Sequence, residues 1–203
     1  MSVATRPIGE LLREWRERRR LSQLALALDA DVSSRHVSFI ETGRSRPSRE
    51  MVLRLAERLD VPLRERNRLL LAAGFAPAYP ERGLADPDLA QIRQAIDLVL
   101  AGHEPYPALA VDRHWNLVAA NRAVASLLAG VAPDLLTPPV NVLRLSLAPA
   151  GLAPRIINLP EWRAHVLERL RRQVEASADP ALAALLTDLR SQPAPAAERA
   201  RPE

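Results

Sequence analysis

Two short helices, joined by a turn too tight to fold them back on each other, constrain this chain more than anything else in it. Residues 21–44 read Leu-Ser-Gln-Leu-Ala-Leu-Ala-Leu-Asp-Ala-Asp-Val-Ser-Ser-Arg-His-Val-Ser-Phe-Ile-Glu-Thr-Gly-Arg. Ser22 and Ser33 are natural N-caps, each opening a helix of about eight residues, and Gly43 is a natural stop for the second. Helices so joined must cross steeply, and the second then projects outward. At about 100° per residue, Val37 and Ile40 of that second helix face inward, toward Ala27, Ala30 and Val32. Arg35, Ser38 and Phe39 face outward, with Ser34 at the exposed N-terminal end.

The outward set suits the major groove of DNA. Arg35 matches guanine O6 and N7, Ser34 and Ser38 reach base edges or phosphate, and Phe39 packs on a thymine methyl. Gln23 sits in the first turn of its helix, where free N–H groups and a side-chain amide hold phosphate. Arg44 and Arg46 follow in a loop stiffened by Pro47, as phosphate clamps. His36, on the flank, is either a contact or a plain surface histidine. The candidate DNA-binding residues are Gln23, Ser33, Ser34, Arg35, His36, Ser38, Phe39, Arg44 and Arg46. Charge agrees: residues 1–75 hold 15 arginines against 10 acids, net +5, whereas 76–203 hold 13 against 14,. All 28 basic residues are arginine, which points to coding bias rather than to selection for that side chain.

Helices are also expected over 8–19, with Ile8, Leu11, Leu12 and Trp15 on one stripe, over 49–59 behind Ser48, and over 62–73 between Pro62 and Gly74. Residues 8–75 therefore read as one five-helix domain. Leu21-Ser22-Gln23, Val32-Ser33, Val37-Ser38, Ile40-Glu41, Gly43-Arg44 and Pro47-Ser48 together resemble the xenobiotic-response-element family of helix-turn-helix regulators, which have the lambda-repressor-like fold. The resemblance implies an ion pair between Arg16 and Glu41. Two positions depart from the family: its turn glycine is Asp31, which tolerates the left-handed conformation, and its acidic pair is Leu24-Ala25. Leu24 and Leu28 form an exposed i,i+4 pair, read either as tolerated surface leucines or as a docking patch for the second half or a partner subunit.

Prolines and a glycine in 76–88 mark a linker. Beyond it, Leu89–Ala101 reads as helix. Ala108–Asp112 and Trp115–Val118 read as a hairpin turning at Arg113-His114, and 120–129 as an Asn-initiated helix. Asn141–Leu147 fits helix or strand. Pro160–Ala176 is a helix whose Asn158 and Glu161 have capping-box spacing, and Asp179-Pro180 opens a last helix to about Arg190. Residues 191–203, rich in Pro, Ala, Glu and Arg, read as a disordered tail.

The stretch 104–123, with Leu69-Leu-Leu-Ala-Ala-Gly-Phe-Ala-Pro77 before it, resembles the MmyB-like regulators, whose C-terminal region is PAS-related. That resemblance implies a mostly α protein: a helix-turn-helix domain over 8–75, then an α/β PAS-like ligand-binding and dimerisation domain over 89–190. The family's sensor sheet has further strands that 191–203 does not supply, so this domain reads as C-terminally truncated, or else its helices cover a reduced sheet. The implied ligand is small and apolar, a fatty acid by family association. Tyr106 and Trp115 are the candidate lining, with His103 and Arg144 available to a carboxylate; Trp162 reads as core.

No cysteine is present, which excludes disulfides and thiolate chemistry. The four histidines lack metal-ligand spacing, and no nucleophile elbow, Walker or dinucleotide motif occurs. The expectation is a non-enzymatic, cofactor-free, cytoplasmic regulator, without membrane contact, that binds an operator as a homodimer. An autoregulating antitoxin, its second half bound to a protein, is the alternative.

Overall fold

The computed structural model describes residues 6–80, 83 and 86–192, and the chain divides into two compact units, Met1–Arg82 and Gly83–Glu203. The first unit contains α1 (Ile8–Arg18), α2 (Gln23–Asp29), α3 (Ser34–Glu41), α4 (Arg49–Arg58) and α5 (Leu63–Ala72). The three expected serine caps form. Ser22 accepts a hydrogen bond from the Ala25 N–H, Ser33 from His36 and Ser48 from Met51, and each occupies a donor that the first helical turn leaves unpaired.

All five helices stop by one device. A left-handed residue follows the last turn, namely Arg20, Asp31, Gly43, Asp60 and Gly74, with φ from 47° to 87°. The next N–H then reaches back: Leu21 to the Arg16 carbonyl, Val32 to Ala27, Arg44 to Phe39, Val61 to Ala56 and Phe75 to Leu70, all within 3.1 Å,. Asp31 thus does what a turn glycine would. Four of the residues after the stop are apolar and at least half-buried, which anchors each turn on the unit; the fifth, Arg44, is exposed.

Leu12, Trp15, Leu26, Val37, Ile40, Val52, Leu55, Leu59, Leu69 and Leu70 form the buried core of this unit. Helix α1 meets the end of α3 at Gly9, where a Cβ would lie 2.5 Å from the Ile40 carbonyl oxygen and 2.6 Å from that of Glu41. Residues 78–79, within the expected linker, are tied to α5. Asn67 accepts from the Ala78 and Tyr79 N–H groups at 3.0 Å and donates to the Tyr79 carbonyl. Residues 81–82 and 84–85 of the expected linker, and 193–203 of the expected tail, lie outside the described residues.

The second unit opens with a 3-10 turn at Pro87–Leu89 and α6 (Ala90–Ala101). Strands β1 (Leu109–Val111) and β2 (Leu117–Ala120) follow, then α7 (Ala123–Leu128), α8 (Val142–Leu147), α9 (Leu159–Ser177) and α10 (Pro180–Ser191). The strands pair antiparallel, Leu109 opposite Ala120 and Ala110 opposite Ala119. The long helices α9 and α10 pack together and against α8 around Leu143, Leu147, Val166, Leu170, Leu182, Leu185, Leu186 and Leu189. Among the described residues this two-stranded sheet is the only sheet of the unit, with an isolated antiparallel bridge between Asn116 and Asn141 beside it.

Four local expectations change. The hairpin turn is wider than Arg113-His114: it runs from Asp112 to Asn116, with Trp115 not in a strand but left-handed at φ 68°. Asn121 does not cap α7; it is buried, accepts from the Ala108 N–H and donates to the Leu100 and Tyr106 carbonyls, tying the end of α6 to the hairpin. Asn158 forms no capping box, because its amide donates to the Glu161 carboxylate and caps no backbone N–H. Asn141–Leu147 resolves as helix, with Asn141 accepting from the Arg144 N–H.

Two aspartates lock the corner of the hairpin. Burial works to raise the Asp112 carboxyl, but hydrogen bonds from the Asn116 N–H and amide and from the His114 N–H outweigh it and hold it below its ordinary value. Asp179 caps α10 through the Ala181 N–H and accepts from His114 Nε2 at 2.8 Å; burial again works upward, and these bonds again lower it. A carboxylate lowered in the folded state contributes stability above its unfolded pKa, about 3.9 for aspartate, and that contribution is lost as pH falls through the lower folded value. The resonance of the Trp115 indole N–H, bonded to Gln173 Oε1 at 2.8 Å, should therefore hold its position down to about pH 4 and disperse only in stronger acid. Asp112→Asn should flatten that acid limb.

Candidate nucleic-acid interface and apolar cavity

In α3, Val37 and Ile40 are buried and Ser34 and Arg35 exposed, whereas Ser38, Phe39 and His36 are half-buried. Arg44 and Arg46 are exposed just beyond α3, and Pro47, which follows them, is buried. Ser33 uses its hydroxyl oxygen on the His36 N–H, so it serves the helix before any other partner. The Arg35 guanidinium lies 5.1 Å from the Phe39 ring centre and that of Arg44 5.9 Å.

Beneath this face is a polar cluster of three helices. Arg16 of α1 grips Glu41 of α3 with two parallel bonds, Nε to Oε1 at 2.7 Å and Nη2 to Oε2 at 2.9 Å. Arg16 Nη1 also donates to the Leu21 carbonyl. The Glu41 side chain is 2% exposed. Its hydrogen bond raises the Arg16 pKa further, so the guanidinium stays charged. Gln23 joins them, Nε2 donating to Glu41 Oε2 at 2.8 Å. The amide expected to face phosphate is thus partly turned inward, and its bond joins the start of α2 to the end of α3. Leu24 and Leu28 are exposed on the outer side of α2.

The second unit encloses an apolar cavity of about 290 Å³. Its walls come from the hairpin (Leu109, Trp115, Leu117), from α7 (Val124, Leu127, Leu128), from α8 (Val142, Leu143, Leu145, Ser146) and from α9. Helix α9 contributes Trp162, His165, Val166 and Arg169, spaced as one helical face,. Trp115 is placed there by its left-handed backbone, a conformation costing about 1–3 kcal/mol in a bulky residue. It is held by the Gln173 bond and by the Arg169 guanidinium 4.9 Å from its ring.

Of the four candidate ligand contacts, Trp115 lines this cavity, and Tyr106, His103 and Arg144 do not. Tyr106 is 75% exposed in the loop after α6. His103 is exposed and its Nδ1 is bonded to the Val99 carbonyl at 2.8 Å, a helix-end contact. Arg144 points to the other side of α8, where it pairs with Asp188 at 2.6 Å. Trp162, expected in the core, is 39% exposed; it stacks on His165 and its indole N–H points to Ser146 Oγ at 3.4 Å. His165 and Arg169, both exposed along part of their length at the cavity wall, escaped the sequence reading. The spacing of Trp162, His165 and Arg169 was the available signal, but it reads equally as an ordinary solvated face.

Among the described residues no cluster of His, Asp or Glu could hold a metal ion, and no helix is long and apolar enough to cross a membrane. A helix-turn-helix unit that exposes Ser34 and Arg35 on its second helix, with Arg44 and Arg46 beyond it, is thus followed by a unit with an apolar cavity. The helix-turn-helix family matches residues 12–66, and the family described as MmyB-like transcription regulator ligand binding domain matches 92–203. The chain belongs to this family of MmyB-like transcription regulators. It is also similar to the uncharacterized HTH-type transcriptional regulator RghRB of Bacillus subtilis (strain 168), 40% identical over 76 residues, which is 37% of this chain and 52% of that protein. The chain spans about half the length of that curated relative.

Proposed function

We propose that this regulator reads its operator through Ser34, Arg35, Ser38 and Phe39, with Arg44 and Arg46 on the phosphates and Gln23 as a phosphate contact through the part of its amide not given to Glu41. It acts in the cytoplasm as a homodimer, because one such unit offers too few base contacts for strong specificity, and two α3 helices would address half-sites about 34 Å apart. Its operator affinity is set by an acidic amphiphile in the second unit, a medium-chain fatty acid. The observation that carries this reading is the composition of the cavity: apolar walls, with the cation Arg169 and the imidazole of His165 at one side. At about 290 Å³, it lies at the small end of the range of about 300–1,000 Å³ common for ligand sites, which favours a medium chain over a long one.

Titration with decanoic acid, decanol and decane, followed by native mass spectrometry and by operator affinity, tests this. Decanoic acid should bind and change operator affinity. Arg169→Glu should weaken it about tenfold or more, as loss of a charge-assisted bond does, and should leave decanol unaffected. Val166→Trp, filling the cavity, should abolish binding of all three. Equal binding of decanoic acid by Arg169→Glu would overturn the head-group assignment, and failure of every probe across chain lengths would overturn the sensor reading.

A further inference from the structure

Arg35 and Phe39 are one turn apart on α3, so the helix itself brings their side chains together. The guanidinium 5.1 Å over the ring is held by the attraction of a cation for a π face. At about 100° per residue the pair lies on the side of α3 opposite the buried Val37 and Ile40, with Arg35 exposed and Phe39 half-buried. Two cations approach this ring, Arg35 and Arg44.

Resting on the reading of α3 as the groove helix, we propose that Arg35 and Phe39 read two adjacent base pairs as a single unit. Arg35 donates to O6 and N7 of a guanine, and the Phe39 ring packs against the C5-methyl of the pyrimidine in the neighbouring pair. Guanine presents two acceptors in the major groove that match the guanidinium fork, and the C5-methyl is the apolar mark on that edge. Bases follow one another at about 3.4 Å along a strand. Side chains held against each other reach neighbouring pairs together, whereas widely separated targets would force the stack open. Stacking also restricts the long Arg35 side chain, so the ring supports the guanine contact as well as making its own. Thymine and 5-methylcytosine carry the same methyl group, and either serves.

Selection of duplexes from a random library by the full chain tests the proposal. The expected result is a half-site containing a G·C pair next to a T·A pair. In the selected site, uracil for that thymine should weaken the wild-type protein about fourfold, the transfer free energy of one methyl group, and should leave Phe39→Ala unaffected. Phe39→Ala should also lose discrimination at the adjacent guanine, and Phe39→Tyr, which keeps the ring, should restore it. If the methylated base is 5-methylcytosine, the motif should emerge only from a methylated library. A motif without the adjacent pair, or an equal uracil penalty in Phe39→Ala, would overturn the proposal while leaving operator reading intact. No enriched motif from either library would overturn the groove reading on which it rests.

Discussion

Glu41→Ala should destabilise the first unit by about 3–5 kcal/mol, the largest single effect expected anywhere in the chain. The carboxylate is 2% exposed and accepts three hydrogen bonds from two side chains: Nε and Nη2 of Arg16 and Nε2 of Gln23. Removing it strands a guanidinium in a part-buried site with one remaining carbonyl partner, Leu21. A buried charge without its counter-ion loses far more than the pair contributed, because its desolvation is no longer compensated. Hydrogen exchange of the α1–α5 amides in the full chain would report the loss, and α6–α10 amides would serve as the internal control. Replacing both partners, Arg16→Met with Glu41→Leu, should recover much of it. If the single and double variants were equally destabilised, charge burial would not be the cause.

The same cluster bears on how α3 is presented. Arg16, Gln23 and Glu41 belong to three different helices, and their bonds meet on the last residue of α3. Operator reading requires α3 to be held at a fixed angle, since base-edge hydrogen bonds fail with small displacements. Apolar packing of Val37 and Ile40 is non-directional. The bidentate bonds are directional, and they set the register of α3 against α1.

How much of this was legible in the chain follows the range of the interactions. In the first unit, three helices start at a serine and two at a proline, and each helix ends in a left-handed residue followed, in four cases, by an apolar one. Those signals are local, so the five helices and the outward set on α3 could be read directly. The Gln23–Glu41 bond spans 18 residues, and nothing in the residues around Gln23 distinguishes it from a free amide. In the second unit the failures share a cause. Trp115 adopts a left-handed conformation against its own preference because Gln173, 58 residues away, and Arg169 hold it, so local turn rules placed it in a strand. Asn121 has the right position to cap α7 but bonds to three groups outside that helix. The cavity was half legible. Its tryptophan was named, whereas its cationic side depends on which face of α9 the hairpin and α7 leave open, a tertiary fact.

Gly9→Ala should be nearly as damaging as loss of Glu41, at about 3 kcal/mol, although alanine is the better helix former by about 1 kcal/mol. The reason is what the added methyl would meet. Its carbon would sit 2.5 Å from the Ile40 carbonyl oxygen and 2.6 Å from the Glu41 carbonyl oxygen, well inside any tolerable contact. Both are backbone atoms of the last turn of α3, which cannot rotate aside as a side chain would. Relief requires α1 to move away from α3, and that movement stretches the Arg16–Glu41 bonds of 2.7 and 2.9 Å. Gly9→Ala and Glu41→Ala should therefore be strongly non-additive, since the first already weakens what the second removes. The measurement is a double-mutant cycle on unfolding in urea, with operator affinity read alongside. Additive energies would mean that the unit absorbs the methyl elsewhere, and that the close approach of α1 and α3 does not govern how α3 is held.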